Sequence, residues 1–176
     1  AVIDGVMKLD NHRLEILYDE ILRINRLVDD LGKLARYENS NLELSKTKFN
    51  LSQLIKNSIK SYESDSLKEN KEITFHSVNI EILADKDKIN QVLTNLISNS
   101  LKYTGADGKI EITLKSVDDK ITLSIKDNGV GISKEDLPFI FDRFYRSDKS
   151  RNRHTGGAGI GLAIVKSIVL AHNGYI

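Results

Sequence analysis

A helix-forming segment over residues 87–103 constrains this chain more than any other feature, because it carries an apolar face and a polar stripe side by side. Its apolar residues recur three and four positions apart, as on a core-facing helix: Ile89, Val92, Leu93, Leu96, Ile97 and Leu101. Asn95, Asn99 and Lys102 share this spacing and therefore line one adjacent face, and with Tyr103 they make up the polar stripe. The stripe is either a solvated face that tolerates asparagine or a site where an amide oxygen binds a hard cation such as Mg²⁺.

Composition narrows the class of protein. The chain has 176 residues, enough for one domain and an appendage, with 40% hydrophobic and 29% charged residues as in soluble globular proteins. The net charge of +1 gives no general reason to expect a nucleic-acid partner. The absence of cysteine excludes disulfides and thiolate metal sites. No apolar run approaches the roughly 18 residues that a membrane span needs, so we expect a soluble piece.

The N-terminal part predicts one long helix over residues 12–37. Its apolar residues alternate three and four positions apart, as in a heptad repeat: Leu14, Leu17, Ile21, Ile24, Val28, Leu31 and Ala35. Leu27 and Leu34 widen this seam, which favours a bundle of helices. The alternative is an amphipathic helix folded onto its own domain, but no later segment has a similar length. We therefore expect the partner to be an upstream helix, a second subunit, or both.

Helical and strand patterns alternate along the rest of the chain, beyond a linker candidate that begins near Glu38. The predicted elements are a helix from residue 51, strands near 72–76 and 79–84, the helix at 87–103, a hairpin over 110–125 with its turn at 117–120, and a helix from about residue 158. Helices segregate from hairpins in this order, which favours an α+β sandwich over a parallel βαβ sheet.

A carboxylate stands between the predicted hairpin and two glycines. Asp127 continues the alternation of Leu123 and Ile125, which predicts that its side chain is buried on their inward face. A buried carboxylate needs a hydrogen-bond donor, and adenine offers an exocyclic amine where guanine has a carbonyl. The alternative is a turn in which the carboxylate bonds to its own backbone. Gly129 and Gly131 fit either reading.

A second glycine-rich segment, residues 156–162, precedes the last helix. It is not a P-loop, because Leu162 and Ala163 stand where Lys and Ser or Thr are required. A glycine-rich loop that enters a helix can still present backbone N–H groups and a positive dipole to phosphate. Ser133 with Asp136 predicts a capping box for a short helix nearby. The basic residues over 146–154 form either a solvated loop or a mobile lid over phosphates.

Four ordered motifs resemble the catalytic half of a sensor histidine kinase of two-component systems, whose ATPase fold is shared with gyrase, Hsp90 and MutL. The motifs are an N box at 95–103, a first glycine box at 127–132, an F box at 141–146 and a second glycine box at 157–162. The resemblance implies a Bergerat-type α+β fold: a two-layer α/β sandwich whose helices cover one face of a mixed sheet, preceded by the heptad helix. It divides the chain into the second helix of a dimerisation hairpin (1–38), a linker (39–46) and an ATP-binding catalytic domain (47–176).

The resemblance also implies ATP and Mg²⁺ as cofactors. Asn99 would ligate Mg²⁺, Asp127 would bind the adenine amine, and residues 133–158 would form an ATP lid. The implied catalytic residues are Asn95, Asn99, Lys102 and Arg146. The implied ATP-binding residues are Asn95, Asn99, Lys102, Tyr103, Asp127, Gly129, Gly131, Ile132, Phe144, Arg146, Gly157, Gly159, Gly161 and Leu162.

The implied activity is transfer of the γ-phosphoryl group of ATP to a protein histidine, for relay to a response-regulator receiver domain. Asn95 supports transfer, because hydrolysing relatives carry Glu there as a general base and Asn cannot accept the proton. We expect a homodimer through the N-terminal helix, no nucleic-acid partner, and a cytoplasmic portion of a membrane-anchored parent. A serine-directed kinase of the same fold and a non-catalytic adenine-nucleotide-binding dimerisation module remain alternatives.

The phosphoacceptor histidine of such a kinase is expected to be missing from this chain. The acceptor lies beside an acidic residue on the first helix of the dimerisation hairpin. The four histidines of this chain lack that context: His12, His76, His154 and His172. The last strands and a third glycine motif of the family are also absent, so we expect a fragment cut at both ends.

Overall fold

The computed structural model describes residues 11, 13–18, 20, 21, 24, 25, 28, 32, 43–118, 120–147 and 158–176. The described residues between 11 and 32 are helical, in agreement with the predicted N-terminal helix. The described seam residues are each at least half exposed to solvent: Leu14, Leu17, Ile21, Ile24 and Val28. The remaining seam positions, Leu31 and Ala35, lie outside the described residues, as do Leu27 and Leu34. None of the helices in the described part of the chain has the length and apolar character that a bilayer span requires.

From residue 46 onward, helices and strands alternate much as predicted. The elements are β1 (Lys46–Asn50), α1 (Leu51–Lys60), α2 (Glu63–Lys68), β2 (Glu72–Ser77), β3 (Glu81–Asp85), α3 (Lys86–Tyr103), β4 (Lys109–Val117), β5 (Lys120–Asp127), a short 3₁₀ helix (Leu137–Phe139) and α4 (Gly161–Ala171). The sequence did not predict β1 or α2. The last helix begins at Gly161 rather than near residue 158.

The strands form two sheets. In the three-stranded sheet, β4 lies in the centre, with β2 parallel on one side and β5 antiparallel on the other. This confirms the predicted mixed sheet and the predicted hairpin. Strands β1 and β3 pair antiparallel as a separate two-stranded sheet. The parallel pairing of β2 with β4 requires a long crossover, and helix α3 lies within it.

The core has two parts that share helix α3. The first joins α1 and α3 to one face of the three-stranded sheet, and its buried members are Leu51, Leu54, Ile55, Ile80, Leu93, Ile97, Ile110, Ile112 and Leu114. The second joins α3 to α4, and its buried members are Val92, Ile160, Ile164, Val165 and Ile168. Helix α3 is therefore packed on two sides, which leaves a limited face for its polar stripe.

Candidate nucleotide site

The start of helix α3 is fixed by a buried carboxylate. Asp85 is 7% exposed and is the N-cap of the helix. Its Oδ1 accepts the backbone N–H of Lys88 at 3.1 Å, and its Oδ2 accepts that of Ser45 at 3.0 Å. Burial alone would raise the pKa of the Asp85 carboxyl. Hydrogen bonds from the backbone N–H groups of Lys88, Ser45 and Asp87 outweigh that effect and lower the pKa below its ordinary value.

The predicted polar stripe of α3 is half-buried along its length. Asn95, Asn99, Lys102 and Tyr103 all fall in this range, so the stripe is not a fully solvated face. The Nδ2 atom of Asn95 is buried and has no hydrogen-bond partner among the described residues. The Lys102 ammonium lies 5.0 Å from the centroid of the Tyr103 ring. A buried amide donor without a partner requires an explanation, and a ligand that completes its hydrogen bonds is one.

The prediction that Asp127 is buried is wrong. The carboxylate ends β5 and is exposed, because β5 is an edge strand and the neighbouring Leu123 and Ile125 are themselves only half-buried. Asp127 Oδ1 accepts the backbone N–H of Gly129 at 3.0 Å, which is the hydrogen bond of the turn alternative. Asp127 Oδ2 has no hydrogen-bond partner among the described residues. The turn therefore orients the carboxylate while one oxygen remains available to a ligand.

The first glycine turn, residues 128–131, is held against the end of α3. The backbone N–H of Val130 donates to the carbonyl oxygen of Tyr103 at 3.2 Å. A Cβ atom on Gly129 would stand 2.3 Å from the same oxygen, so only glycine allows this approach. The structure thus places Asp127 beside the C-terminal end of the polar stripe.

The second glycine turn, residues 158–161, lies against the middle of α3. A Cβ atom on Gly161, the first residue of α4, would stand 3.5 Å from Asn95 Oδ1. Gly159 has a φ of +71°, and a Cβ atom there would stand 2.7 Å from the carbonyl oxygen of Tyr145. The described parts of the N box, the F box and the second glycine box therefore contact one another. Gly157 and the lid residues 148–157 lie outside the described residues.

The segment before the F box is organised by local hydrogen bonds. Ser133 Oγ accepts the backbone N–H of Asp136 at 3.1 Å, as the predicted capping box requires. The Asp136 carboxylate accepts the hydroxyl of Tyr145 at 2.5 Å instead of returning to the backbone of Ser133. The rings of Phe139 and Tyr145 stack with centroids 5.6 Å apart. Phe144 is 57% exposed and has a φ of +62°, a conformation that is rare for an aromatic residue.

The remaining predicted site residues surround these turns. Arg146 and Leu162 are half-buried, whereas Ile132 is 53% exposed and Gly131 has a φ of +67° with open space around it. Within the described residues, no three His, Cys, Asp or Glu side chains group together as a metal site would need. The stripe itself offers amide oxygens, and a metal that takes most of its ligands from phosphate and water needs few protein donors.

Sequence reasoning missed two residues that hold α3 in place. Lys71 Nζ donates to the carbonyl oxygen of Leu101 at 2.6 Å, and its side chain is 5% exposed. His172 Nε2 accepts the backbone N–H of Asp85 at 3.0 Å. Both contacts join residues far apart in the chain, so no local pattern could have indicated them.

The family model described as "Histidine kinase-, DNA gyrase B-, and HSP90-like ATPase" matches residues 84–176, more than half of the chain. The chain belongs to this family of ATPases. The predicted resemblance to histidine kinase catalytic domains is confirmed at this level.

Curated relatives of this chain include kinases of signal transduction. The chain is 38% identical to the sensor protein kinase WalK of Staphylococcus haemolyticus (strain JCSC1435), with 100% of this chain and 30% of the relative aligned. It is 34% identical to the signal transduction histidine-protein kinase BaeS of Escherichia coli (strain K12), over 100% of this chain and 38% of the relative. The chain therefore spans about a third of the length of these relatives.

Solved structures of histidine kinases share the fold. The histidine kinase AdeS of Acinetobacter baumannii superposes with a TM-score of 0.75 at 30% identity, over 97% of this chain and 78% of that one. ShkA in complex with AMPPNP superposes with a TM-score of 0.77 at 25% identity, over 95% of this chain and 35% of ShkA. ThkA in complex with the response regulator TrrA superposes with a TM-score of 0.74 at 27% identity, over 94% of this chain and 47% of that one.

Proposed function

We propose that this chain is the ATP-binding catalytic domain of a sensor histidine kinase, which transfers the γ-phosphoryl group of Mg-ATP to a protein histidine. One observation carries the proposal: both glycine turns converge on the polar stripe of α3, the first at Tyr103 and the second at Asn95. This convergence supports the proposal that Asp127 binds a purine and that the start of α4 binds phosphate beside the same helix.

Asp127 is the proposed adenine reader. The turn hydrogen bond from Gly129 orients the carboxylate, and Asp127 Oδ2 remains available to accept the exocyclic amine of adenine. Guanine would place its carbonyl oxygen against the carboxylate and would be rejected. Exposure of Asp127 does not oppose this role, because a bound base would itself cover the carboxylate.

The phosphates are proposed to lie between α3 and the start of α4. Gly161 opens α4 beside Asn95, so the backbone N–H groups of its first turn can face an anion on that side. Lys102 lies on the polar stripe, and Lys102 and Arg146 are the proposed sources of positive charge for the phosphates. Charge neutralisation and positioning are the main contributions that a protein makes to phosphoryl transfer.

Asn99 is the proposed protein ligand of Mg²⁺. Its amide is half-buried on the stripe and offers an oxygen donor, which fits a cation that completes its shell with phosphate oxygens and water. The ion would supply neutralisation of the charge that develops on the phosphates. Asn95 stands one turn earlier and cannot act as a general base, which disfavours hydrolysis and favours transfer to a protein side chain.

The partners are inferred from the relatives and from the exposed seam. ThkA was crystallised with a response regulator, and we propose a receiver domain as the final acceptor for the kinase to which this chain belongs. The exposed apolar residues between 14 and 28 would pack in a dimeric helical bundle. We therefore propose that residues 1–38 belong to a dimerisation hairpin, residues 39–46 to a linker and residues 47–176 to the catalytic domain.

The direct test of the site compares binding of ATP and GTP by calorimetry, with and without Mg²⁺. We expect Mg-dependent binding of ATP, and a loss of about 10- to 100-fold in Asp127→Asn because a hydrogen bond to a charged group is removed. Asp118→Asn is the matched control, since Asp118 is exposed at the opposite end of the same hairpin. Binding that tolerates guanine equally, or that ignores Asp127→Asn, contradicts the site.

The test of the activity supplies a separate histidine-bearing helical hairpin as the acceptor. Phosphohistidine is acid-labile and phosphoserine is acid-stable, so acid treatment of the labelled hairpin separates a histidine kinase from a serine kinase of the same fold. Asn99→Ala should abolish labelling. Normal ATP binding without any labelling would instead favour a non-catalytic nucleotide-binding module.

A further inference from the structure

His172 holds the end of helix α4 in a hydrogen-bond network that the proposed function does not use. Its Nε2 accepts the backbone N–H of Asp85 at 3.0 Å, and its Nδ1 lies 2.8 Å from the carbonyl oxygen of Ile168. Because a backbone N–H only donates and a carbonyl only accepts, these partners together select the neutral imidazole with its hydrogen on Nδ1. If Nε2 also carried a hydrogen, its N–H would face the backbone N–H of Asp85, and this hydrogen bond would be lost.

The partner of His172 is a junction between three segments. The Asp85 carboxylate accepts the N–H of Ser45, just before β1, and the N–H of Lys88, in the first turn of α3. The Asp85 backbone N–H then reaches the ring of His172, just after α4. One residue thus joins the entry to the domain, the start of α3 and the end of α4.

Helices α3 and α4 contact each other at two corresponding levels. His172 meets Asp85 at one level, and Gly161 faces Asn95 at the other. Asn95 lies ten positions after Asp85, and His172 lies eleven positions after Gly161. Each helix therefore covers about 15–17 Å between the two contacts, at roughly 1.5 Å per residue. The two helices therefore run antiparallel, with the proposed nucleotide site at one level and the His172 hydrogen bond at the other.

A cluster of buried apolar side chains joins the two helices between these two levels. Val92 of α3 packs with Ile164, Val165 and Ile168 of α4 in the second core cluster. Apolar burial is non-directional, so it resists separation of two helices more than it resists sliding along their axes. A hydrogen bond holds its donor and acceptor within a few tenths of an ångström of one distance and so restricts sliding.

We propose that His172 is a positioning residue of the nucleotide site: by fixing how α4 lies along α3, it fixes where Gly161 and the second glycine turn stand relative to Asn95. The expected effect of His172 on ATP binding rests on the proposed function, whereas its effect on the position of Gly161 does not. The competing interpretation is that His172 only caps α4 through Ile168, in which case its loss lowers stability without moving the site.

The experiment uses ¹H–¹⁵N spectra of the whole chain without nucleotide, followed by Mg-ATP binding. The wild-type imidazole should show a protonated Nδ1 and an unprotonated Nε2. His172→Phe should shift the Gly161 backbone amide and the Asn95 side-chain amide and weaken Mg-ATP binding about tenfold. In His172→Gln, whose amide carries both a donor and an acceptor, these signals and the affinity for Mg-ATP should lie closer to those of the wild type. This variant replaces His172→Phe in the test if His172→Phe does not fold.

Ser167→Ala is the matched control, because the Ser167 hydroxyl donates to the Ala163 carbonyl at 3.0 Å within α4 and does not reach α3. It should leave the Gly161 and Asn95 signals in place. The proposal is overturned if both His172 variants leave these signals unchanged, if Ser167→Ala moves them equally, or if the ring carries its hydrogen on Nε2. Failure of the wild type to bind Mg-ATP would refute the proposed function, and the spectra would still decide the role of His172.

Discussion

The two glycine turns reach helix α3 by different physical means. The first turn is held by hydrogen bonds, chiefly from Val130 N–H to the Tyr103 carbonyl, and it leaves the adjoining carboxylate in solvent. The second turn is held by packing: Ile160 is 1% exposed, and Gly159 is pressed against the backbone of Phe144 and Tyr145. In the proposed site, the first turn with its carboxylate would bind the base, and the second turn, which leads into α4, would bind phosphate.

The largest effect should come from Gly159→Ala, which breaks the packed turn. The new Cβ atom would overlap backbone atoms of Phe144 and Tyr145 at 2.7–2.8 Å, and alanine would also have to adopt a φ of +71°. Together these effects should lower the free energy of unfolding by about 3 kcal/mol. Urea denaturation measures this directly. A loss below about 1 kcal/mol would show that the turn adjusts easily and is not held by packing.

Gly129→Ala tests the hydrogen-bonded turn and should have a smaller effect. Its Cβ atom would stand 2.3 Å from the Tyr103 carbonyl oxygen, so the turn must move away and lose the Val130 hydrogen bond. We expect a loss of about 2 kcal/mol in urea denaturation, with weaker ATP binding. Gly105→Ala is the control, since nothing lies within 4 Å of that position. Equal stability of the two variants would contradict the close approach.

The helices and the hairpin that carry the two turns could be predicted because their signals are local. The core-facing residues of α3 repeat with the helical period, and those of β4 alternate, so both elements are visible within a short window. The sequence left open whether the polar stripe is a solvated face or a cation site, and the structure shows its residues half-buried. Its position beside two glycine turns required the four ordered motifs, since each glycine segment alone fits many loops.

The rest could not be predicted because it depends on contacts between distant segments. Strand β1 has little alternation of its own and forms because it pairs with β3, more than 30 residues away. Asp127 lies on the predicted face, but the local pattern does not show that β5 is an edge strand whose end is exposed. The contact between His172 and Asp85 spans 87 residues and has no motif.

Both glycine turns contact α3, so a variant that weakens the start of this helix should lower the stability of the structure around both turns by a moderate amount. Asp85→Ala removes the N-cap and should cost about 1–2 kcal/mol of unfolding free energy near neutral pH. The folded-state pKa of Asp85 is lowered, so its ionic contribution is present above the unfolded pKa of about 3.9 and is lost as the pH falls through the folded value. Urea denaturation at pH 7 and at pH 3 should therefore show a smaller difference from wild type at pH 3. If the difference in unfolding free energy between Asp85→Ala and wild type grew towards low pH, the ionised Asp85 carboxylate would not be the stabilising form.

The smallest effect concerns Asn95 beside the second turn and Thr104 after the end of α3, whose side chains each carry a buried polar atom without a partner in the described part of the chain. Thr104 is 3% exposed, and its hydroxyl has no hydrogen-bond partner among the described residues. Thr104→Val keeps the shape of the side chain and removes the unsatisfied hydroxyl, so it should raise the unfolding free energy by about 0.5–1 kcal/mol. Mg-ATP affinity should stay unchanged in calorimetry, because only Asn95 lies on the proposed phosphate side. Reduced affinity in Thr104→Val would mean that this hydroxyl belongs to the site as well, and that the hydrogen-bonded turn contributes more than its carboxylate to nucleotide binding.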